Sequence, residues 1–171
     1  MLIKAHRMIK YIKPKLLLKI IRNGKTIFKY KRKRDLLVYD GQLAIAYLIS
    51  RGAVGIETGN WLAVASENTS SPNMADSSGD PLNNEFNPVI GSPVSVTWSF
   101  QPTVRPSAYY QTQAEIIIEG TVVSDRYATF RKMGIIDDFS PPNQHIIFED
   151  AVIPKNVEPN DNIYIRYTIP I

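Results

Sequence analysis

Hydrophobic and polar residues alternate over much of this chain, which is the pattern of half-buried β-strands. The alternation is most regular near the C-terminal end, where Ile163, Ile165 and Tyr167 alternate with polar neighbours. We predict further strands at 16–21, 26–30, 36–39, 61–65, 94–100, 114–123, 128–136 and 145–153. Because turns rich in Pro, Asn and Asp separate the later strands, the sequence predicts a mainly β, antiparallel β-sandwich, with a jelly roll as one option for its connectivity.

The first two strands are predicted to form a hairpin around Asn23-Gly24. Asn-Gly favours a two-residue type I′ turn because both positions adopt positive φ at low cost. In the second strand we expect Ile27 and Lys29 on one face, and Phe28 and Tyr30 on the other.

One helix is predicted, at about residues 41–51, after the N-cap Asp40 and before the stop at Gly52.

Two segments are predicted to be irregular. The first, 67–88, is long for a compact domain, and we expect it to contact neighbouring subunits. The second, 101–113, is predicted to be a loop or an irregular edge, and we interpret its Tyr109 and Tyr110 as an interaction surface. Trp98 is expected in the core.

Charge divides the chain into two predicted units, a basic N-terminal arm and hairpin (1–35) and a sandwich domain (36–171). Residues 1–35 contain thirteen Lys and Arg and one acid, whereas residues 36–171 contain seven basic and fifteen acidic residues. We identify five residues for contact with nucleic acid or another acidic partner: Lys29, Lys31, Arg32, Lys33 and Arg34. The alternative is that these residues form a solvated edge that protects against aggregation.

Residues 1–13 are basic and partly apolar, and Pro14 ends any helix that they form. We interpret them as an arm that is mobile or is ordered by a partner, with contact to packaged nucleic acid or to a membrane surface as the alternatives. They lack the uninterrupted apolar centre of a secretory signal. No apolar run in the chain is long enough to span a bilayer.

The residues that usually carry chemistry do not form a recognisable site. The chain has no Cys, which excludes disulfides and thiolate ligands, and its two His residues, His6 and His145, are far apart. The acidic pairs Asp137-Asp138 and Glu149-Asp150 lack the spacing of a calcium loop, and we expect them at solvated turn and edge positions. We therefore predict no catalytic site, no metal site and no cofactor, and the sequence argues against an enzyme.

The order of elements is similar to that of virion structural proteins of tailed phages and archaeal viruses. The resemblance rests on the hairpin RNGKTIFKYK, the strand-turn-helix DLLVYDGQLAIAYLISRG, the strand and loop NWLAVASENTSSP, and the later segments DPLNNEF, MGIID, IIFEDAVIPKNVEPNDN and IYIRYTIPI. It implies a non-catalytic β-sandwich subunit of a capsid, tail or vertex assembly. The expected location is the virion, and the expected partners are further copies of the chain and other virion proteins.

Two alternatives to this function stay open. The first is a nucleic-acid-binding module that uses the basic N-terminal arm, for which phosphate contacts predict steeply salt-dependent binding. The second is a receptor-binding or glycan-binding β-sandwich with Tyr109 and Tyr110 on its surface.

Overall fold

The computed structural model describes residues 14–32, 61–73, 78–104, 112–137 and 144–170. These residues form ten strands and one short helix. The strands are β1 (Lys15–Arg22), β2 (Lys25–Arg32), β3 (Trp61–Ser66), β4 (Ser78–Gly79), β5 (Val89–Ser95), β6 (Thr97–Val104), β7 (Thr112–Val123), β8 (Ala128–Asp137), β9 (Gln144–Val157) and β10 (Asn162–Pro170); the helix is α1 (Pro81–Asn84). The predicted arm at 1–13, strand at 36–39 and helix at 41–51 lie outside the described residues, as does the predicted boundary near residue 35.

The ten strands are arranged in two five-stranded sheets. Sheet A has the order β2-β1-β10-β7-β6, and sheet B has the order β4-β9-β8-β3-β5. The neighbouring strands pair antiparallel in both sheets. The predicted mainly β, antiparallel class is therefore confirmed, in a sandwich-like arrangement.

Hairpin β1–β2 forms around the predicted turn. Asn23 and Gly24 have φ values of 50° and 74°, as a type I′ turn requires. Phe28 and Tyr30 pack against the core, whereas Ile27 and Lys29 are exposed, so the predicted faces are confirmed. Because β1 lies between β2 and β10, this basic hairpin is an integral part of sheet A.

The main hydrophobic core lies between the two sheets. On β10, the buried residues Ile163, Ile165 and Tyr167 alternate with partly exposed ones, as predicted. The ring of Tyr167 stacks on Phe148 of β9, with 4.3 Å between ring centroids and an interplanar angle of 18°. Such a pair contributes about 0.5–1.5 kcal/mol beyond the burial of its area, and here it joins the two sheets near their centre.

Different contacts close the two sides of the sandwich. Between β3 and β6, the rings of Trp61 and Trp98 lie 4.4 Å apart, and Trp98 packs against the core as predicted. Between β2 and β9, Arg32 forms an ion pair with Asp150, and Nζ of Lys155 lies 4.8 Å from the Phe28 ring centroid. One side is thus closed by aromatic packing and the other by charge.

The described part of segment 67–88 covers sheet B. Phe86 is buried in a second apolar cluster with Val64, Ile136 and Ile146. Val64 lies between Ala63 and Ala65, which both belong to the main core, so this cluster is on the outer face of the sheet. A Cβ on Gly134 would lie 2.4 Å from Cζ of Phe86, and the glycine therefore permits the ring to pack directly on β8.

The structure corrects three sequence predictions. Segment 67–88 was expected to lack regular structure, but it contains β4 and helix α1, in which the Asp80 carboxylate accepts a hydrogen bond from the Asn83 backbone N–H. The predicted strand at 94–100 is two strands, because the chain leaves β5 after Ser95 and starts β6 at Thr97. Residues 101–104 and 112–113, expected in a loop or an irregular edge, belong to regular strands, the edge strand β6 and its neighbour β7.

Candidate interaction surface

The lysines of β2 form an exposed row at the edge of sheet A. Lys25, Lys29 and Lys31 are all exposed, and β2 has no strand partner on its outer side among the described residues. We call these three residues the basic edge. Within the described parts of the chain, no carboxylate lies within ion-pair distance of them. Strand alternation places Lys29 and Lys31 on the same outer face, opposite the face that packs on the core.

Neighbouring strands extend this positive surface. Lys19 of β1 is the register partner of Lys29 and also of Tyr164 on β10. Its Nζ lies 5.4 Å from the centroid of the Tyr164 ring, within the range of a cation–π contact. The Tyr164 hydroxyl donates to Glu119, and burial together with this carboxylate raises the pKa of the Tyr164 hydroxyl. Among the described strands of sheet A, the first carboxylate on this side therefore belongs to β7, and the exposed lysines without an ion pair lie on β2.

The structure separates the five residues that the sequence identified for partner contact. Lys29 and Lys31 lie together on the outer face. Arg32 lies on the opposite face, and its guanidinium donates to the buried Asp150 carboxylate at 2.5 Å. Lys33 and Arg34 lie outside the described residues. Tyr109 and Tyr110 also lie outside them, so the predicted aromatic loop surface stays a prediction.

A second arginine of the hairpin holds the turn between β9 and β10. Arg22 donates from Nε and one terminal nitrogen to the two oxygens of Asp161, at 2.9 and 2.8 Å. It also donates to Glu158 at 2.6 Å. The hydrogen bonds from Arg22, more than any other contact, hold the pKa of the Asp161 carboxyl below its ordinary value, and they raise the pKa of Arg22. This bidentate contact fixes the hairpin turn against the opposite end of the chain.

A buried charge cluster lies beneath segment 67–88, and the sequence did not predict it. The ammonium of Lys132 is fully buried and contacts the fully buried Glu149 carboxylate. It also donates to Glu85 at 2.9 Å and to the Ser70 hydroxyl at 2.6 Å. Because Ser70 and Glu85 belong to the covering segment, Lys132 joins that segment to β8 and β9. The ammonium also lies 5.5 Å from the centroid of the Phe86 ring.

These burials show that the prediction of solvated acidic pairs was wrong for the three acids that the structure describes. Glu149 and Asp150 are buried because β9 is covered on both faces, by segment 67–88 on one side and by Arg32 on the other. Asp137 is also buried. Its carboxylate accepts the backbone N–H of His145 at 3.0 Å and contacts His145 Nδ1 at 2.6 Å.

The sequence contained a signal for this cluster. Lys132 precedes Met133 and follows Phe130 by two residues, and Glu149-Asp150 directly follow Phe148. Charged residues inside apolar strands are rarely buried unless they are paired. The opposite charges on two adjacent predicted strands could therefore have indicated an internal pair.

An open cleft lies beside the turn region, with a volume of about 410 Å³. Tyr127 and the carboxylates of Glu67 and Glu158 line it. Glu67 accepts from Arg126 at 3.0 Å and from the Thr129 backbone N–H at 3.2 Å, so this wall of the cleft is held in place. Tyr127 is 76% exposed.

No group of three or more His, Asp or Glu residues in the described ranges is placed to hold a metal ion. The described helix is not long and apolar enough to cross a membrane, and the described ranges hold no other candidate span. Comparison with protein families, with curated protein sequences and with solved structures finds no match.

Replacing Lys132 with Met should destabilise the fold by about 3–5 kcal/mol, because Glu149 would remain buried without its counter-charge. The double variant K132M/E149M should regain most of this stability, since apolar residues of similar volume replace both charges. Urea unfolding followed by Trp fluorescence measures the difference. Lys15→Met, in the exposed pair with Glu115, is the control and should cost about 1 kcal/mol or less. A double variant that loses as much stability as the single one would contradict this account.

Replacing Asp161 with Asn should lower the free energy of unfolding at pH 7 by about 1.5–3 kcal/mol, the usual value for hydrogen bonds to a charged group. Because the folded pKa of Asp161 lies below the ordinary value of 3.8, its contribution is complete above that pH and is lost as the pH falls through the folded pKa. The difference between wild type and variant should therefore shrink below pH 4. Urea titrations between pH 7 and pH 2.5 test this, with Glu115→Gln as the control. A difference that stays constant over this range would contradict it.

Proposed function

We propose that this chain is a structural subunit of a virion, a β-sandwich that self-associates within a capsid, tail or vertex assembly. The order of its elements supports this function, as does the sandwich-like fold. The observation that carries the proposal is the basic edge: Lys25, Lys29 and Lys31 are exposed on an edge strand, without ion pairs among the described residues. The proposal requires a sandwich and no particular connectivity, so the jelly-roll option stays a prediction.

The contrast with the other cations of the hairpin supports this reading. Arg22, Arg32 and Lys15 each pair with an acid from the second half of the chain, and Lys19 contacts an aromatic ring. The remaining three lysines face outwards. A surface of this kind attracts an acidic partner and orients it, because complementary charge mainly sets specificity and association rate.

A second copy of the chain offers that acidic partner. Residues 36–171 carry fifteen acidic and seven basic residues, so the main body of a neighbouring copy has an excess of negative charge. The basic edge and the acidic body are different patches on one molecule. Contact between them is heterologous, and it produces rings when the rotation closes and filaments when it does not. The lysines also disfavour uncontrolled strand pairing at this edge.

Negative-stain microscopy of the purified chain should show particles built from many copies. The triple variant Lys25→Glu, Lys29→Glu and Lys31→Glu should be monomeric, because it replaces attraction to the acidic body with repulsion. The triple Lys→Arg variant is the matched control and should assemble. A wild-type protein that is monomeric at every concentration, or a Glu variant that assembles as the wild type does, would overturn the proposal.

A nucleic-acid-binding module is a second candidate, favoured by the position of Lys19, Lys29 and Lys31 on one face of sheet A. DNA binding measured against salt concentration separates it from self-association, because each lost phosphate contact should reduce the logarithmic slope by about 0.9. Deleting residues 1–35 is unsuitable for this test, since it removes β1 from the interior of sheet A. The Lys→Glu variant is the better probe, and equal DNA binding by it and the wild type would eliminate this candidate.

A further inference from the structure

The open cleft has a defined floor and one prominent side chain. Val157 is buried at its base, and Thr129 and Asn156 are cross-strand partners on β8 and β9 beside it. Tyr127 directly precedes β8 and is 76% exposed. The cleft therefore combines an apolar floor, an accessible aromatic ring and polar groups.

Its ionisable lining is acidic. Glu67 and Glu158 are the charged residues that line it, and each also accepts a hydrogen bond from an arginine outside the lining, Arg126 and Arg22 respectively. Arg22 engages Oε1 of Glu158, whose side chain is 45% exposed, so Oε2 is available as an acceptor. A carboxylate next to an exposed aromatic ring suits an ammonium group, which forms an ion pair with one and a cation–π contact with the other.

We infer that this cleft receives a lysine side chain, Lys29 or Lys31, from the basic edge of a second copy of the chain. The inference rests on the proposed function and identifies the acidic surface that the basic edge contacts. Charge complementarity selects the occupant, because both lysines are exposed and have no ion pair among the described residues. A lysine stem is long and apolar, so it can lie along the exposed ring of Tyr127 while its ammonium reaches Glu158.

Carbodiimide cross-linking of a mixture of ¹⁴N-labelled and ¹⁵N-labelled protein tests this contact. The reagent activates a carboxylate, which then forms an amide with an amine in contact with it, while the reagent leaves as a urea. The amide joins the two side chains directly, without a spacer, so it forms only between groups that touch. Mass spectrometry should identify peptides joining Lys29 or Lys31 to Glu67 or Glu158, with the two isotopes mixed. A cross-linked pair of peptides with the same isotope comes from one copy of the chain or from two copies with the same label. If every cross-linked pair has a single isotope, the inference is wrong.

Tyr127→Ala should weaken self-association about fivefold, as expected for the loss of a cation–π contact. Tyr127→Phe retains the ring and is the control. Because Tyr127 is exposed, the urea midpoint of both variants should equal that of the wild type.

The result also separates this inference from the proposed function. If particles form but the cross-links map elsewhere and Tyr127→Ala has no effect, the cleft assignment is wrong and the proposed function stands. If the protein is monomeric and no mixed-isotope product forms, both are wrong.

Discussion

Ion pairs between the first hairpin and the last two strands are the constraint on which the rest of the structure depends. Hairpin β1–β2 carries seven basic residues and no acid, yet β1 lies next to β10 inside sheet A. Arg22 is held by Asp161, and Arg32 is held by Asp150. Both acids are buried, so removing either arginine would leave a buried carboxylate without that counter-charge. The same ion pairs hold the hairpin in its place in sheet A. Sequence-distant charge pairs thus join the two ends of the chain and close one side of the sandwich.

The same logic applies on the outer face of sheet B. Lys132 and Glu149 neutralise each other in an apolar environment, and Lys132 also holds Ser70 and Glu85 of the covering segment. Buried pairs of this kind are costly to break, although they are weak sources of net stability. Their effect is to specify position: Lys132 holds segment 67–88 on sheet B, where Phe86 packs on Val64, Ile136 and Ile146. In contrast to these charges, the lysines of the basic edge are exposed and have no ion pair among the described residues.

Local sequence signals predicted much of the fold. Asn23-Gly24 defined a hairpin because its turn preference depends only on two adjacent residues, and the alternation at 163–169 defined β10 for the same reason. Pairings between distant residues were not readable. Nothing in the local sequence places Lys132 beside Glu85, or Arg32 beside Asp150, and both contacts depend on which strands become neighbours. The acids were therefore predicted as solvated when the three that are described are buried.

The candidate surface was predictable in part. Charge counting located the hairpin as the basic region, and alternation placed Lys29 and Phe28 on opposite faces. Counting could not distinguish Arg32, which pairs with Asp150, from Lys31, which has no ion pair among the described residues. The cleft beside Tyr127 was not foreseen, since its lining residues come from the ends of three different strands and meet only in the folded chain.

Native mass spectrometry over a range of ionic strengths tests most directly the claim that the uncompensated lysines serve self-association. At low ionic strength the mass should be a multiple of the 19.3 kDa chain. The proportion of higher multiples should decrease as salt screens the contact between exposed charges. A single species of one chain at every ionic strength, or an assembly that salt leaves unchanged, would contradict the account.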